Sequence, residues 1–268
     1  MKPLTLTLRE RPDQRLDCSP LVPFRLAGKS AAEIARIELQ TTRVRVTVGD
    51  LFRVRMGAAS HVRLEGGSDR LDQIGQDMNG GEITVEGDVG IQAGRMMAGG
   101  LLAIRGSAGR WAGSGMKGGT IEIAGSAGDR IGGPLAGETA GMRGGVVIVR
   151  GSAGERAGDK MRRGTVIVER DAGPYAASRM IAGTVIVCGK TGPLPGYLMN
   201  RGSLVLGRQA VLAPTFIDCG TYDLVALRLL GAFVKVHSAR AAALLRKPLR
   251  RLAGDMAVSG KGEIFTPG

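Results

Sequence analysis

Few side chains in this sequence are spaced for covalent chemistry. The two histidines, His61 and His237, have no cysteine or serine beside them in a nucleophile–base arrangement. Cys18, Cys188 and Cys219 form no CxxC pair and no disulfide framework. Gly-Ser-Ala-Gly at 106–109, 125–128 and 151–154 has the outline of a phosphate cradle. No Gly-Lys-Ser/Thr and no helix signal follow it, and its recurrence marks a structural corner instead. Glycoside chemistry needs carboxylates gathered on one face, whereas Glu82 and Glu122 fall at alternating strand positions without an evident cluster. No catalytic residue and no metal ligand is therefore assigned. What the spacing does supply is positive charge. Lys117, Arg143 and Arg162 each follow a methionine of a repeated phrase, with Lys160 and Arg163 beside them; Arg130 and Arg156 each stand two residues beyond a Gly-Ser-Ala-Gly. Stacked in register, such residues form columns of like charge about 5 Å apart, which repel unless an anion covers them. The sharp reading is a track for an extended polyanion or an acidic partner surface. The bland one is a solvated basic face with Glu155 and Asp159 as acidic neighbours.

Those columns require a chain that stacks in register, and the sequence carries the repeat for it. Methionine recurs at Met78, Met97, Met116, Met142, Met161, Met180 and Met199, at intervals of 19, 19, 26, 19, 19 and 19 residues. Each opens one phrase, such as Met-Lys-Gly-Gly-Thr-Ile-Glu-Ile-Ala-Gly at 116–125 or Met-Arg-Gly-Gly-Val-Val-Ile-Val-Arg-Gly at 142–151. A fixed short period of this kind signals a solenoid. Each unit holds one strand signal, as in Glu-Ile-Thr-Val-Glu at 82–86. Helix is disfavoured, because each of several glycines per unit would cost about 1 kcal/mol in a helix interior. A lone unit cannot bury its apolar row, but stacked units can, at about 4.8 Å per layer. Methionine suits a narrow, irregular interior, and glycine the corners. The expected fold is all-β: a single parallel β-helix of 19-residue coils over 56–207, an N-terminal cap over 1–55, and over 208–268 a C-terminal cap and a tail in contact with other subunits. The 26-residue interval carries seven extra residues around 131–141, which predicts a loop on one face and a candidate contact element.

Glycine makes up 44 of 268 residues without a Gly-X-Y period, which excludes collagen. No run of about 20 apolar residues occurs, so no membrane span is expected, and the expected location is the cytoplasm. A net charge of +13 calls for an acidic or polyanionic partner. Nucleic acid fits poorly: the chain has neither zinc-finger spacing nor RNP-like aromatic strands for base stacking. Toward the N-terminus, 4–8 reads as a strand and 30–40 as a helix capped by Ser30 with Glu33 three residues on. The segment 43–48 reads as a strand turned by Gly49 and Asp50, and His61 opens a degenerate first coil over 56–66. Past Gly207, 221–231 reads as a short helix or an extended piece, and 238–253 as a helical stretch broken at Pro248. The end carries a short strand signal at most. Arg246, Lys247, Arg250 and Arg251 lie in an acid-free run and are candidate contacts to other subunits.

The Met-x-x-Gly-(Gly)-x-Ile-x-Val-x-Gly-x-x-Gly phrases resemble the glycine-rich right-handed β-helix shared by glutamate synthase large subunits and the C subunits of formylmethanofuran dehydrogenases. Arg250-Arg-Leu-Ala-Gly-Asp255 followed by Gly260-Lys-Gly-Glu263 resembles the ending of the second family, as does the chain's size. Its Arg/Ala richness resembles the bacterial branch, the formyltransferase/hydrolase complex of methylotrophs. The resemblance implies right-handed coils and a non-catalytic scaffold. It implies one-carbon metabolism and formaldehyde oxidation, in which formyl-tetrahydromethanopterin becomes formate through a methanofuran-like carrier. The A, B and D subunits of the same complex would be the partners. The resemblance places the metal in the amidohydrolase-like A subunit and no cofactor in this chain, and it gives the carrier a polyglutamate tail for the basic columns to guide. Two alternatives remain beside it: a polysaccharide-acting β-helix enzyme and a polyanion-binding solenoid.

Overall fold

One strand per coil, repeated in register, builds the molecule. A computed structural model describes residues 2–41 and 44–268. Its main sheet contains thirteen strands. Successive coils stack as parallel neighbours, so that Ile83, Leu102, Ile121, Val147, Val166, Val185, Leu204 and Ile264 lie rung upon rung. The Gly-Ser-Ala-Gly corners make a second, narrower face, where Ala108, Ala127, Ala153 and Ala172 are joined by single parallel bridges. Their serines form a ladder: the Ser126 N–H donates to Ser107 Oγ at 3.1 Å, and the Ser152 N–H to Ser126 Oγ at 3.2 Å. This is the parallel β-helix expected from the repeat, and the phrase that resembles a phosphate cradle is its corner.

The methionine column is packing. All seven methionines are fully buried. In the middle coils each methyl lies against a glycine of the following coil. A Cβ on Gly145 would come 2.6 Å from Met116 Cε, one on Gly164 2.8 Å from Met142 Cε, and one on Gly183 2.5 Å from Met161 Cε. Those glycines also have φ between 84° and 108°, where a side chain is strained. The glycine three residues after each of these coils' methionines is thus a socket for the methionine of the previous coil, and the two residue types recur together for that reason.

Both ends of the chain supply rungs. Strand Pro3–Leu8, inside the segment expected as a cap, pairs parallel with Ala58–Glu65, and antiparallel Phe52–Arg55 closes that edge. At the other end Lys261–Thr266, where only a short strand signal stood, adds the last parallel rung on Arg201–Leu206. Antiparallel Leu249–Ala253 and Ile217–Tyr222 follow it. The Ser30 capping box is present, but its helix stops at Ala35, short of the expected 40, and strand Glu38–Leu39 follows. Val46–Thr47 is a strand, whereas Gly49 and Asp50 belong to the helical turn Val48–Leu51, because the Asp50 carboxylate caps back onto the Thr47 N–H at 2.8 Å. Arg43, at the start of the expected 43–48 strand, lies outside the described residues. In the tail, helices Val225–Lys235 and Ala239–Leu244 flank Ser238, and the part of 238–253 beyond Pro248 is strand rather than helix.

These two helices cover the outside of the later rungs. Val146, Ile148, Ile167, Ile186, Val205 and Phe265 point outward and pack under Leu227, Val234, Ala241, Ala242 and Leu245 as a second core. The solenoid interior and this outer layer are separate apolar clusters on the two faces of one sheet.

Candidate functional site

The coil register sets the charged strip. The Lys117 N–H donates to the Met97 carbonyl at 2.7 Å, the Arg143 N–H to Met116 O at 2.7 Å, and the Arg162 N–H to Met142 O at 2.8 Å. The three residues thus hold one position in three consecutive rungs. All three are exposed, as is Arg163, which pairs with Arg143 across the rung. The next rung breaks the strip, since Ile181 and Ala182 stand where Arg162 and Arg163 stood. Basic residues resume at Arg201, which pairs with Lys261. The short Ala182 leaves a notch of about 550 Å³ lined by Arg162, Arg163, Ile181, Ala182, Asn200, Arg201 and Ser259. Ser259 is held there by donating to the Asn200 carbonyl at 2.7 Å. Among the described residues, no carboxylate lies within 4.0 Å of Lys117, Arg143, Arg162, Arg163, Arg201 or Lys261. Three guanidinium groups around one dent, with no acid in its wall, suit a carboxylate-rich or phosphate-rich ligand. Arg201 was missed in the sequence, although it follows Met199 by the same two residues that separate Arg163 from Met161.

The second column is engaged within the fold. Arg130 and Arg156 occupy left-handed corners with φ of 58° and 57°. Arg130 Nη1 lies 3.8 Å from Asp159 Oδ2, and Asp159 is wholly buried rather than a surface neighbour. Arg179 Nε and Ser178 Oγ donate to Asp159 Oδ1 at 2.9 and 2.8 Å. Arg156 stacks 4.6 Å over the Tyr175 ring, which fixes it beside Glu155. The tail cations divide likewise. Arg246 and Lys247 are exposed and make no ion pair among the described residues, whereas Arg250 binds Asp218 at 2.6 Å and Arg251 binds Glu263 at 2.6 Å.

The insertion leaves the coil at Gly132 and returns at Met142, whose N–H donates to the Gly132 carbonyl at 2.7 Å. Glu138 in this loop takes both Nη groups of Arg95 at 2.9 Å. Burial pushes the Glu138 carboxyl up, but the Leu135 N–H and the Arg95 guanidinium outweigh it and hold it below its ordinary value. The loop is pinned to the solenoid wall near Arg143.

Among the described residues nothing else gathers into reactive geometry. His61 Nε2 lies 3.2 Å from Thr84 Oγ1 and 3.5 Å from Glu82, half exposed on the outer face. His237 stacks edge-on to Phe233. Glu65 and Glu86 face each other across adjacent rungs, a pairing that sequence reasoning missed. Arg63 reaches Glu86 at 3.1 Å and Glu65 at 4.0 Å, and Arg55 reaches Glu65 at 3.5 Å, so each carboxylate has a cation beside it. Burial pushes the Cys18 thiol strongly up and that of Cys188 to about 11, so neither is a ready nucleophile. Among the described residues, no group of three His, Cys, Asp or Glu side chains is placed to hold a metal ion. No helix there is long and apolar enough to cross a membrane.

The class that this fold and surface define is a parallel β-helix whose ordered feature is an outward strip of unpaired cations. Comparison with known proteins gives the class a family. Over 263 residues, 98% of this chain and 99% of the relative, the sequence is 51% identical to the C subunit of the formyltransferase/hydrolase complex Fhc of Methylorubrum extorquens. The crystal structure of the formyltransferase/hydrolase complex FhcABCD from that organism, in complex with methylofuran, contains a chain that superposes with a TM-score of 0.95 and 45% identity, covering 98% of this chain and 99% of that one. A shorter match, 35% identical over 94 residues or 33% of this chain and 35% of the relative, joins it to the C subunit of tungsten-containing formylmethanofuran dehydrogenase 2 of Methanothermobacter marburgensis. No family model matches the sequence. The chain belongs to the family of C subunits of formyltransferase/hydrolase complexes.

Proposed function

We propose that the chain is the non-catalytic structural subunit of a cytoplasmic formyltransferase/hydrolase complex, holding the A, B and D subunits in place, and that its basic strip receives the anionic tail of a methanofuran-like carrier. Metal and carrier chemistry belong to the partner subunits in this reading. The end-to-end relation at 51% identity carries the scaffold part. The notch between Arg162, Arg163 and Arg201 supports the tail part, since a polyglutamate chain offers carboxylates at intervals that successive rungs can meet. The test replaces Lys117, Arg143 and Arg162 with alanine in the assembled complex. Assembly should survive, and KM for a long-tailed carrier should rise about ten-fold at low salt, an effect that shrinks as salt screens the strip. A short-tailed carrier should be used as before. Unchanged kinetics with the long-tailed carrier at low salt would sink the tail-guiding part and leave the scaffold part standing. A salt-dependent shift of RNA or DNA by the lone chain would favour a polyanion-binding solenoid instead.

A further inference from the structure

Helix Val225–Lys235 is apolar on two opposite faces. Leu227, Gly231 and Val234 are buried against the sheet. On the other side Val225, Leu229, Phe233 and Val236 are 61%, 67%, 49% and 82% exposed. Their spacing of four, four and three residues keeps them in one stripe along the helix. Scattered single apolar residues at a surface are ordinary, but a continuous stripe marks a contact surface. Only Asp223 and Leu224 separate this helix from strand Ile217–Tyr222, the last strand of the thirteen-stranded sheet. Among the described residues that strand pairs on one side alone, with Leu249–Ala253 and with a register shift between Asp218 and Thr221, and its residues are almost all exposed. An open edge is a template for a further strand.

Charge states what covers this surface. From Leu224 to Gly254 the chain contains no acid; of its cations Arg228, Arg250 and Arg251 are held by Asp223, Asp218 and Glu263, whereas Lys235, Arg240, Arg246 and Lys247 make no ion pair among the described residues. A second copy would bring like charges together. A lipid surface would meet the stripe and the cations but would leave the open backbone edge unpaired. We infer that the outer face of this helix and the adjoining sheet edge dock one protein partner, with an apolar patch rimmed by carboxylates, carried by another subunit of the complex. The inference rests on the scaffold reading above and adds to it the place of contact.

The test co-expresses the tagged full-length chain with the other subunits, comparing wild type with the double variant Leu229→Asp/Phe233→Asp. Leu229 is mostly exposed, and Phe233, half exposed, gives up an edge-on contact with the His237 ring, so the variant chain should keep its circular dichroism spectrum and lose little in melting temperature. Recovery of at least one defined partner subunit should drop ten-fold or more. Should the double variant misfold, Val236→Asp, at the most exposed position of the stripe, replaces it with the same expected loss. Equal recovery from a folded variant overturns the docking surface while leaving the scaffold reading intact. A wild-type chain that recovers no partner overturns the scaffold reading itself. Two further results also overturn the proposal when recovery of the partner subunits is unchanged. One is loss of binding to phosphatidylglycerol vesicles; the other is loss of a wild-type dimer in sedimentation.

Discussion

Glu122 and Ile148 stand opposite each other in adjacent rungs, both pointing out of the solenoid, and they mark a border. On the earlier side the outer face carries the part-exposed Arg63, Glu82, Glu86 and Glu122, laced by pairs such as Arg63–Glu86, and among them the small Thr84 and Ala103 are buried. On the later side it carries Ile148, Ile167, Ile186 and Val205 under two helices. The interior does not change at the border, since the same isoleucine, valine and methionine columns run through both regions. A solenoid can thus hold its inner face constant, rung by rung, while its outer face is dressed for different tasks. Here one region is polar and part-exposed, and the other forms a seat for the tail helices that carry the exposed stripe.

Exchanging the two border residues should separate the regions most strongly. Ile148→Glu places an unpaired carboxylate beneath the helices and should cost on the order of 4 kcal/mol in urea denaturation. Glu122→Ile, on the bare side, should stay within about 0.5 kcal/mol. Similar costs for both would erase the border. The interior gives the opposite expectation. Met97→Ala and Met161→Ala, one from each region, should each cost about 2–4 kcal/mol by opening a cavity, and the two values should agree within about 1 kcal/mol. A marked asymmetry would show that the helices also stiffen the inner face. Gly164→Ala tests the socket for the Met142 methyl, and steric crowding plus positive φ should together cost about 2 kcal/mol by the same assay.

The smallest effect lies at the far edge. The Arg250 guanidinium, and then the Gly220 N–H, hold the Asp218 carboxyl down from 3.8 to about 2. A lowered carboxylate pKa stabilises the fold above its unfolded value and loses that contribution as pH falls through the folded one. Asp218→Asn should therefore lower the melting temperature slightly at neutral pH, and the difference from wild type should vanish as pH falls from about 4 to about 2. A difference that persisted at pH 2 would assign the effect to packing rather than charge.

The parts legible in the sequence are those that repeat. The methionine interval gives the coil and its register, and the register gives the column of Lys117, Arg143 and Arg162. The border was also written there, unread. Val146-Val-Ile-Val149 and Thr184-Val-Ile-Val187 lack the alternation of Thr120-Ile-Glu-Ile123, and a strand apolar on both sides has both sides covered. The final rung was hidden for a different reason: Lys261–Thr266 returns to Arg201–Leu206 across more than fifty intervening residues, and no local pattern announces such a pairing. The engagement of Arg130 and Arg156 likewise depends on Asp159 turning inward and on Tyr175 arriving from the next coil.

What this chain holds together decides whether it is a scaffold. Purification of the tagged chain co-expressed with its partner subunits, followed by light scattering and assays of formyl transfer and hydrolysis, measures that. One particle is predicted, containing this chain in fixed ratio with the formyltransferase and hydrolase subunits, active as a whole, while the chain alone has neither activity. A chain that elutes by itself, with the other subunits assembled and fully active without it, would contradict the scaffold reading.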